Sequence, residues 1–510
     1  MNRSLLAGVV LLWCAILPAG ATITYRITAL PGIHPPLVKV DMHFSVPRAE
    51  IVNAEAPAWC PGDYQLQNFG KYVTSMSASS ASGSPFQVTQ GKQVGEWQVH
   101  CTEAGSIDLQ YFVPEVPPGN FSNNVQIEPN LLFINGPAAL LYLKGRKLED
   151  CELFVHVPTG WQISTTLHKL PGNAAPGWSS TDYDQLADAP LLAATHLLIF
   201  HFKDGGCRYS LVFFHHLATL MDPARWVPVF QRIARAENHI MGFTPYKRYH
   251  FLMDAGGGLG GLEHLNSCRL AYSSGMSAVE YAPFVAHELF HSWNVKRLRP
   301  AALGPFNYQV PNVTRCLWFS EGITEYFAWI ACRRAGIITA GQLEKHFREI
   351  IRRYRSNPAR NTVSADIASL KVWSNNGSYG YQGLSYYEQG ELIGLCLDLE
   401  IRRVTDNHKD LASLMQCLYR KYALPAPGFH LADIAAALDA VTGRSLTDWF
   451  LSMANTTAPL PLRTTLGYAG MTPDCLPEPA DTDAVALRND WLHDDAGESP
   501  QLVPSPEYKR

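Results

Sequence analysis

The feature of this sequence that most restricts its fold is a change in hydrophobic period near residue 214. Before that point, stretches such as residues 37–44 and 107–112 alternate apolar and polar side chains, which is the period of a half-buried strand. Beyond it, apolar residues recur at helical spacing, beginning with Trp226 and Phe230. A chain of 510 residues is longer than a typical domain with a single hydrophobic core. The switch therefore predicts a multidomain α+β fold in which β structure precedes helical structure.

Local signals place several boundaries. Asp222 followed by Pro223 is typical of a helix start, and Gly242 of a helix end. Residues 248–254 are predicted to form one more strand before a mainly helical region. The predicted parts are an antiparallel β-sandwich or saddle over residues 22–214, a mainly α-helical domain over residues 215–470, and a flexible tail rich in Pro, Asp and Glu over residues 471–510.

The composition excludes several classes of protein. Hydrophobic residues make up 47% of the chain, which supports packed cores and excludes a mainly disordered chain. With 41 Lys and Arg against 45 Asp and Glu, the net charge is −4, so no basic excess is present to neutralise phosphates and we expect no nucleic-acid partner. Long apolar stretches do not recur, so a multi-span membrane protein is excluded as well.

The first 21 residues are typical of a signal peptide. Arg3 supplies a positive start, residues 5–17 are almost wholly apolar, and residues 19–21 form an A-x-A cleavage site, so the mature chain is predicted to begin near Thr22. A retained membrane anchor is the alternative. We favour cleavage, no stable membrane insertion afterwards, and a periplasmic or secreted protein.

Ten of the 11 cysteines lie outside that segment. An even number in an exported chain permits disulfides, although sequence does not give their pairing, and buried thiols are the alternative. The absence of any C-x-x-C motif disfavours a thiolate metal site.

The sharpest motif is H-E-x-x-H at residues 287–291. On a helix, positions i and i+4 share a face, so the imidazoles of His287 and His291 can bind one ion while Glu288 lies beside it. Two neutral nitrogen ligands with a neighbouring base suit a hydrolytic zinc site. The motif predicts one Zn²⁺ held by the two histidines, with Glu288 as general base. A chance occurrence of the motif is the alternative.

A catalytic zinc also needs a third protein ligand. Glu321 lies in a stretch with helical spacing and is surrounded by Trp318, Phe319 and Tyr326, and a carboxylate among apolar residues needs a partner. We predict that Glu321 completes the ligand set, the alternative being a surface glutamate. Glu325, one turn later, is a candidate acceptor for a hydrogen bond from a ligand histidine, or else the partner in a plain ion pair.

A glycine-rich run precedes the motif, from residue 256 to residue 261. Glycines allow another backbone to approach closely, and no phosphate-loop or dinucleotide signature fits here. We predict that a peptide lies along Gly260 and Gly261 while Glu263 binds its free α-ammonium group. A solvated loop with an incidental acid is the alternative.

Two adjacent tyrosines, Tyr386 and Tyr387, open a predicted long helix. A phenol near zinc can donate a hydrogen bond to the oxyanion of a tetrahedral intermediate. Adjacent tyrosines are also common as packing residues, so the motif alone leaves both roles open.

Together these residues resemble the glycyl aminopeptidase family of zinc metallopeptidases, a group that usually carries a PDZ domain. The resemblance covers about residues 22–470. The matching stretches, in chain order, are WCPGDY at 59–64, DYDQL at 182–186, GGLEH at 260–264, HELFHSWNVKRLRP at 287–300, LWFSEG at 317–322 and SYYEQG at 385–390.

The resemblance implies a thermolysin-like, or gluzincin, catalytic domain. It also implies peptide substrates and removal of N-terminal residues, with small ones such as glycine and alanine favoured. His287, His291 and Glu321 map to the zinc ligands and Glu288 to the general base.

Similarity to the wider aminopeptidase N group implies two further roles. Glu263 maps to the residue that anchors the substrate amine, and Tyr387 to the tyrosine that stabilises the oxyanion, although sequence does not exclude Tyr386. Two positions depart from the pattern of that group, because Gln389 replaces a lysine and His264 an asparagine.

A further departure is the length after Met471, where only 39 residues follow. A PDZ domain has on the order of 100 residues, so we expect that domain to be absent. Two other functions stay open from the sequence: an endopeptidase with the same zinc chemistry, in which Glu263 is structural, and a non-catalytic peptide-binding protein that has kept the fold.

Overall fold

The computed structural model shows an N-terminal β part followed by a mainly helical part, which confirms the predicted α+β class. The predicted signal peptide and most of the glycine run lie outside the described residues, so export stays a prediction from the sequence. The structure describes residues 22–121, 124–172, 176–215, 222–255, 260–271, 275–375, 377–378 and 380–493.

The N-terminal strands follow from the alternation in the sequence. On the second strand, every other side chain, from Val38 to Val46, is buried. The elements of this part are β1 (Ile23–Leu30), β2 (Leu37–Val46), β3 (Glu50–Glu55), β4 (Thr74–Ser80), β5 (Pro85–Gln90), β6 (Glu96–Cys101), β7 (Gly105–Pro114), β8 (Val125–Glu128), β9 (Leu131–Ile134), β10 (Tyr142–Leu143), β11 (Cys151–His156), β12 (Gln162–Ser164), β13 (His168–Lys169), β14 (Gly177–Ser180), α1 (Tyr183–Ala187) and β15 (Leu191–Ala194).

Two sheets organise this part. Within the described residues, one has eleven strands in the order β10-β3-β6-β5-β4-β7-β2-β1-β11-β14-β13, and the other has four in the order β12-β15-β9-β8. The strands pair antiparallel, as predicted, except that β1 and β11 run parallel. One hydrophobic core takes residues from both sheets, among them Tyr25, Tyr111, Leu132 and Ala193.

A third sheet of five strands carries the helical part, in the order β16-β17-β18-β20-β19. The side chain of Asp222 caps the start of helix α2, and Gly242, in the left-handed region, follows its end, as predicted. The elements are β16 (Leu198–Asp204), β17 (Cys207–Phe214), α2 (Pro223–Met241), β18 (Arg248–Asp254), β19 (Gly260–His264), β20 (Ser267–Ala271) and α3 (Ala278–Phe290).

The predicted domain boundary at residue 214 is wrong, because β16 and β17 belong to the third sheet. β17 pairs with β18 in parallel, and Phe202 and Tyr209 pack in the same core as α2 and α3. On the opposite face, Phe214 and Leu252 pack against Phe133 of the four-stranded sheet. Alternation identifies a strand but not the sheet that it joins, so the sequence pattern placed these strands on the wrong side of the boundary.

Helices dominate the rest of the described chain. A π-helical turn at Trp318–Gly322 leads directly into the helix that follows it, and a short hairpin precedes the long helix that begins with the two tyrosines. The elements are α4 (Ile323–Arg334), α5 (Ala340–Ser356), α6 (Ala365–Leu370), β21 (Gly380–Tyr381), β22 (Leu384–Ser385), α7 (Tyr386–Val404), α8 (Leu411–Tyr422), α9 (Leu431–Thr442), α10 (Thr447–Asn455), α11 (Leu462–Tyr468) and α12 (Thr482–Leu492).

The predicted flexible tail after residue 471 is wrong as far as residue 493. Met471 and Cys475 are fully buried, and α12 places Trp491 in the core, where its indole nitrogen donates to the Tyr326 hydroxyl at 3.1 Å. A segment rich in Pro, Asp and Glu packs here because a few large apolar side chains are enough to anchor a short helix.

The ten cysteines from Cys60 to Cys475 are all free thiols, and all but Cys417 are buried. The alternative of buried thiols therefore describes them. In the described ranges, no helix combines the length and the apolar character that crossing a bilayer requires.

A buried charge cluster joins the N-terminal part to the third sheet. Asp254, at the end of β18, accepts hydrogen bonds from Arg269 and, at 2.7 Å, from His215 Nδ1, and the other nitrogen of His215 lies 3.3 Å from Glu128 of β8. Burial opposes ionisation of Asp254, but His215 and Arg269 outweigh it and lower the pKa from 3.8 to about 2. The stabilising effect of this carboxylate is therefore complete above about pH 3.8 and is lost as the pH falls towards 2.

We expect Asp254→Asn to lower the free energy of unfolding by about 3–5 kcal/mol at pH 7, because it leaves the Arg269 guanidinium buried without a countercharge. Denaturant unfolding measures this change. The matched control is Asp108→Asn, an exposed partner of His43, whose effect should stay within about 0.5 kcal/mol. Equal effects of the two substitutions would contradict the assignment.

Candidate active site

The H-E-x-x-H motif lies on the last turns of α3, as its spacing predicts. The helix begins with a capping box in which Ser277 and Glu280 satisfy each other's backbone N–H groups. His287 and His291 project from one face, with their Nε2 atoms 3.0 Å apart, and both side chains are buried.

Glu321 is brought to the same point by the π-helical turn Trp318–Gly322. Its Oε2 atom lies 3.2 Å from His291 Nε2 and 3.4 Å from His287 Nε2. Three ligand atoms bound tetrahedrally to one Zn²⁺ would be roughly 3–3.5 Å apart. Two imidazoles and a carboxylate also form the donor set of known hydrolytic zinc sites. The three residues therefore fit the predicted zinc ion.

Asn294 ties the two zinc-ligand segments together. Its carbonyl oxygen accepts a hydrogen bond from His291 Nδ1 at 2.8 Å, while its side-chain amide donates to the carbonyl oxygens of Phe319 and Ser320 at 3.0 and 3.2 Å. The sequence motif contains this residue, but its role depends on a contact across 26 positions that local pattern does not reveal.

Glu325 lies against His287, one of the two predicted ligand histidines, as the sequence suggested. Its Oε2 atom is 2.7 Å from His287 Nδ1. Each histidine therefore has an oxygen atom next to Nδ1 that can accept a hydrogen bond from a proton there. The oxygen belongs to Glu325 for His287 and to Asn294 for His291. With the proton on Nδ1, the Nε2 lone pair of each histidine is available to bind the metal ion together with Glu321.

The two carboxylates at the site have opposite electrostatic environments. Burial raises the pKa of Glu288 to about 8, with His287 and His291 opposing the shift. For Glu321 burial acts in the same direction, but the same two histidines outweigh it and lower the pKa. A pair of acids pushed apart in this way is typical of a division between a proton-transferring group and a permanent anion.

The metal position opens into a chamber of about 110 Å³. Gly260 and Gly261 of β19, the edge strand of the third sheet, form one wall, and Glu263 lies at its end. Three wall residues were not predicted from the sequence. These are Gly62 from the N-terminal part, Phe121 and Phe284.

Tyr387 lines this chamber, whereas Tyr386 is buried in the core. The Tyr387 ring lies nearly parallel to the His287 ring, with centroids 5.8 Å apart. Of the two adjacent tyrosines, Tyr387 therefore faces the space beside the predicted zinc ligands and Tyr386 does not.

Asp188 anchors the end of β19. One carboxylate oxygen accepts from His264 Nδ1 at 3.1 Å and from Lys296 Nζ at 2.9 Å, and the other from the backbone N–H of Leu265 at 2.8 Å. His264, which departs from the aminopeptidase N pattern, therefore helps to hold Glu263 in place. Lys296 is used in an ion pair.

A second, larger cavity of about 540 Å³ lies at the junction of the two parts of the chain. It shares Gly62 and Glu263 with the zinc chamber and is bordered by Trp59, Phe306 and Leu424. These shared residues place Glu263 between two spaces of very different size.

The fold and this ligand set define a zinc metallopeptidase. Two family models match the chain, that of M61 glycyl aminopeptidases over residues 280–393 and that of the M61 N-terminal domain over residues 24–195. The chain belongs to the M61 glycyl aminopeptidase family.

Solved structures agree on the architecture. An aminopeptidase N family protein from Idiomarina loihiensis is 26% identical, with a TM-score of 0.80 over 88% of this chain and 78% of that chain. An M1 zinc metallopeptidase from Deinococcus radiodurans is 13% identical, with a TM-score of 0.55 over 87% of this chain and 95% of that chain, and shows the same fold. The comparison with curated proteins found no match.

Gly261 is predicted to be indispensable for the position of Glu288. A Cβ atom at Gly261 would overlap Glu288 Oε1 and would lie 2.7 Å from Phe284 Cζ. We expect Gly261→Ala to lower kcat/KM for peptides at least about tenfold by displacing the carboxylate, with the zinc content unchanged. The control is Gly341→Ala on α5, where a Cβ meets nothing within 4 Å and activity should be kept. Full activity of Gly261→Ala would contradict this placement.

Proposed function

We propose that this metallopeptidase is an aminopeptidase that hydrolyses the first bond of peptides with a free, small N-terminal residue. The observation that carries the proposal is the burial of Glu263 beside the zinc ligands without a hydrogen-bond partner among the described residues. Its side chain is 6% exposed and faces the zinc chamber, yet no hydrogen bond or ion pair joins it to another described residue. A carboxylate that faces the chamber without a protein partner among the described residues is suited to bind a substrate ammonium group.

The reaction follows from the groups around the chamber. Zn²⁺ held by His287, His291 and Glu321 would polarise the substrate carbonyl and lower the pKa of water to about 7. Glu288 accepts the proton of the attacking water on its carboxylate and passes it to the departing amine. Tyr387 donates a hydrogen bond to the oxyanion as negative charge develops there.

The edge strand β19 supports the orientation of the substrate. A peptide can add to a sheet edge through main-chain hydrogen bonds, and the edge strand β19 places Gly260 and Gly261 in the wall of the chamber. With its ammonium group on Glu263, the peptide presents only its first carbonyl to the metal position. The volume of about 110 Å³ supports a preference for glycine and alanine at the first position.

The first test compares alanyl-p-nitroanilide with its N-acetyl derivative. Acetylation removes the charge that Glu263 would bind, so we expect kcat/KM to fall about 100-fold, and both activities to be abolished by a zinc chelator. Glu263→Gln should remove most of this difference, whereas Glu349→Gln, at an exposed position of α5, should leave it unchanged.

Equal cleavage of free and blocked substrates by the parent enzyme would instead support an endopeptidase. No chelator-sensitive release of amino acids from any substrate would support a peptide-binding protein. In a panel of aminoacyl substrates, glycyl and alanyl derivatives should exceed leucyl and arginyl derivatives by about tenfold or more. The reverse order would mean that side chains enter the 540 Å³ cavity.

The second test isolates the proton transfer. Glu288→Gln keeps the shape of the side chain but cannot accept a proton, so we expect kcat to fall roughly 10²–10⁴-fold while the zinc content stays at one ion. Metal analysis and turnover are measured on the same preparation. Near-normal turnover with bound zinc would contradict the role of Glu288.

A further inference from the structure

Behind the zinc site lies a second buried polar cluster. The Oε1 atom of Glu325 accepts a hydrogen bond from the indole N–H of Trp329 at 3.0 Å. The indole stacks on the ring of His346 with centroids 3.6 Å apart and planes 18° apart. His346 Nε2 in turn lies 2.6 Å from Glu391 Oε1. A continuous series of contacts therefore leads from His287 through Glu325 to Glu391.

This cluster contains two carboxylates and an imidazole, a set that could in principle hold a second metal ion. The distances argue against that use. In the zinc site the ligand atoms stand 3.0–3.4 Å apart, which leaves space for an ion at their centre. In the cluster, the 2.6 Å between His346 and Glu391 is a direct hydrogen bond.

The position of Glu325 explains what the cluster does. Its side chain is 27% exposed, so an unrestrained carboxylate could turn away from His287 towards solvent. In the structure one oxygen lies against His287 and the other binds Trp329, so a rotation of the carboxylate would break both contacts. Trp329 is held in turn by His346, and His346 by the fully buried Glu391.

We propose that Trp329, His346 and Glu391 are positioning residues that hold Glu325 against His287 and thereby raise the affinity for zinc. They come from three helices, α4, α5 and α7, and α7 also carries Tyr387, whose ring stacks on the His287 ring. The Glu325 carboxylate and the Tyr387 ring therefore both lie against His287. This inference rests on the zinc site of the proposed function but not on its substrate.

The test measures zinc affinity by competition with a chelator of known affinity, using the full chain. Trp329→Phe keeps an aromatic ring beside His346 but removes the N–H donor together with part of the ring system, and we expect it to raise the zinc Kd about three- to tenfold. Glu325→Gln changes the group that contacts the ligand itself and should raise it about 10–100-fold. The matched control is Trp161→Phe, at a half-buried position of the N-terminal core, which should leave the Kd unchanged.

Substitutions of Glu391 separate positioning from packing. Glu391→Gln keeps the shape and one hydrogen bond and should weaken zinc binding less than Glu391→Ala. Thermal unfolding of the zinc-free and zinc-bound forms shows whether a variant has lost general stability. A positioning role reduces the rise in Tm that zinc causes, whereas a purely structural role lowers both Tm values equally.

The visible spectrum of the Co²⁺-substituted protein provides a further readout, since it depends on ligand geometry. We expect Trp329→Phe to shift the bands and Trp161→Phe to leave them in place. An unchanged Kd and spectrum in Trp329→Phe, or tight binding of a second zinc ion that Glu391→Ala removes, would overturn the proposal. None of these measurements uses a peptide, so failure of the proposed aminopeptidase activity would not affect them.

Discussion

The site depends on one close contact between two backbones. Helix α7 crosses the π-helical turn at Gly390 and Gly322, and a Cβ atom at either position would overlap the backbone of the other segment. Because the segments meet without side chains between them, Glu321 on the turn and Tyr387 one turn before Gly390 both reach the histidines of α3. Larger residues at the crossing would separate the third ligand from the phenol.

Burial then gives the converging groups their different properties. The low-polarity interior raises the pKa of Glu288, while the histidines hold Glu321 as an anion, so one chamber contains two carboxylates with opposite pKa shifts. The same interior leaves Glu263 without a hydrogen-bond or ion-pair partner among the residues that the structure describes. The three carboxylates of Glu288, Glu321 and Glu263 therefore differ because their neighbours differ, although their chemical groups are the same.

The sequence predicted those parts of the site that depend on local spacing. The i, i+4 histidines and the start of α7 follow from helix geometry, and their placement agrees with the prediction. Contacts between distant segments were not predictable. Asn294 joins the two ligand segments across the fold, Gly62 comes from the other part of the chain, and the strands before residue 214 join a sheet that alternation does not specify. The composition of the C-terminal segment likewise did not reveal the burial of Trp491.

In the proposed function, the junction between the two parts of the chain, and not the zinc motif, distinguishes an aminopeptidase from an endopeptidase. A Cβ atom at Gly62 would lie 2.8–2.9 Å from the carboxylate oxygens of Glu263, so the N-terminal part packs directly against the proposed amine-binding group. His264 and Lys296, through Asp188, hold the same strand end from the other side. The zinc ligands alone would serve an endopeptidase equally well. In the proposed aminopeptidase, Glu263 would bind the ammonium group and so limit a bound peptide to its first bond, and residues from both parts of the chain surround this glutamate.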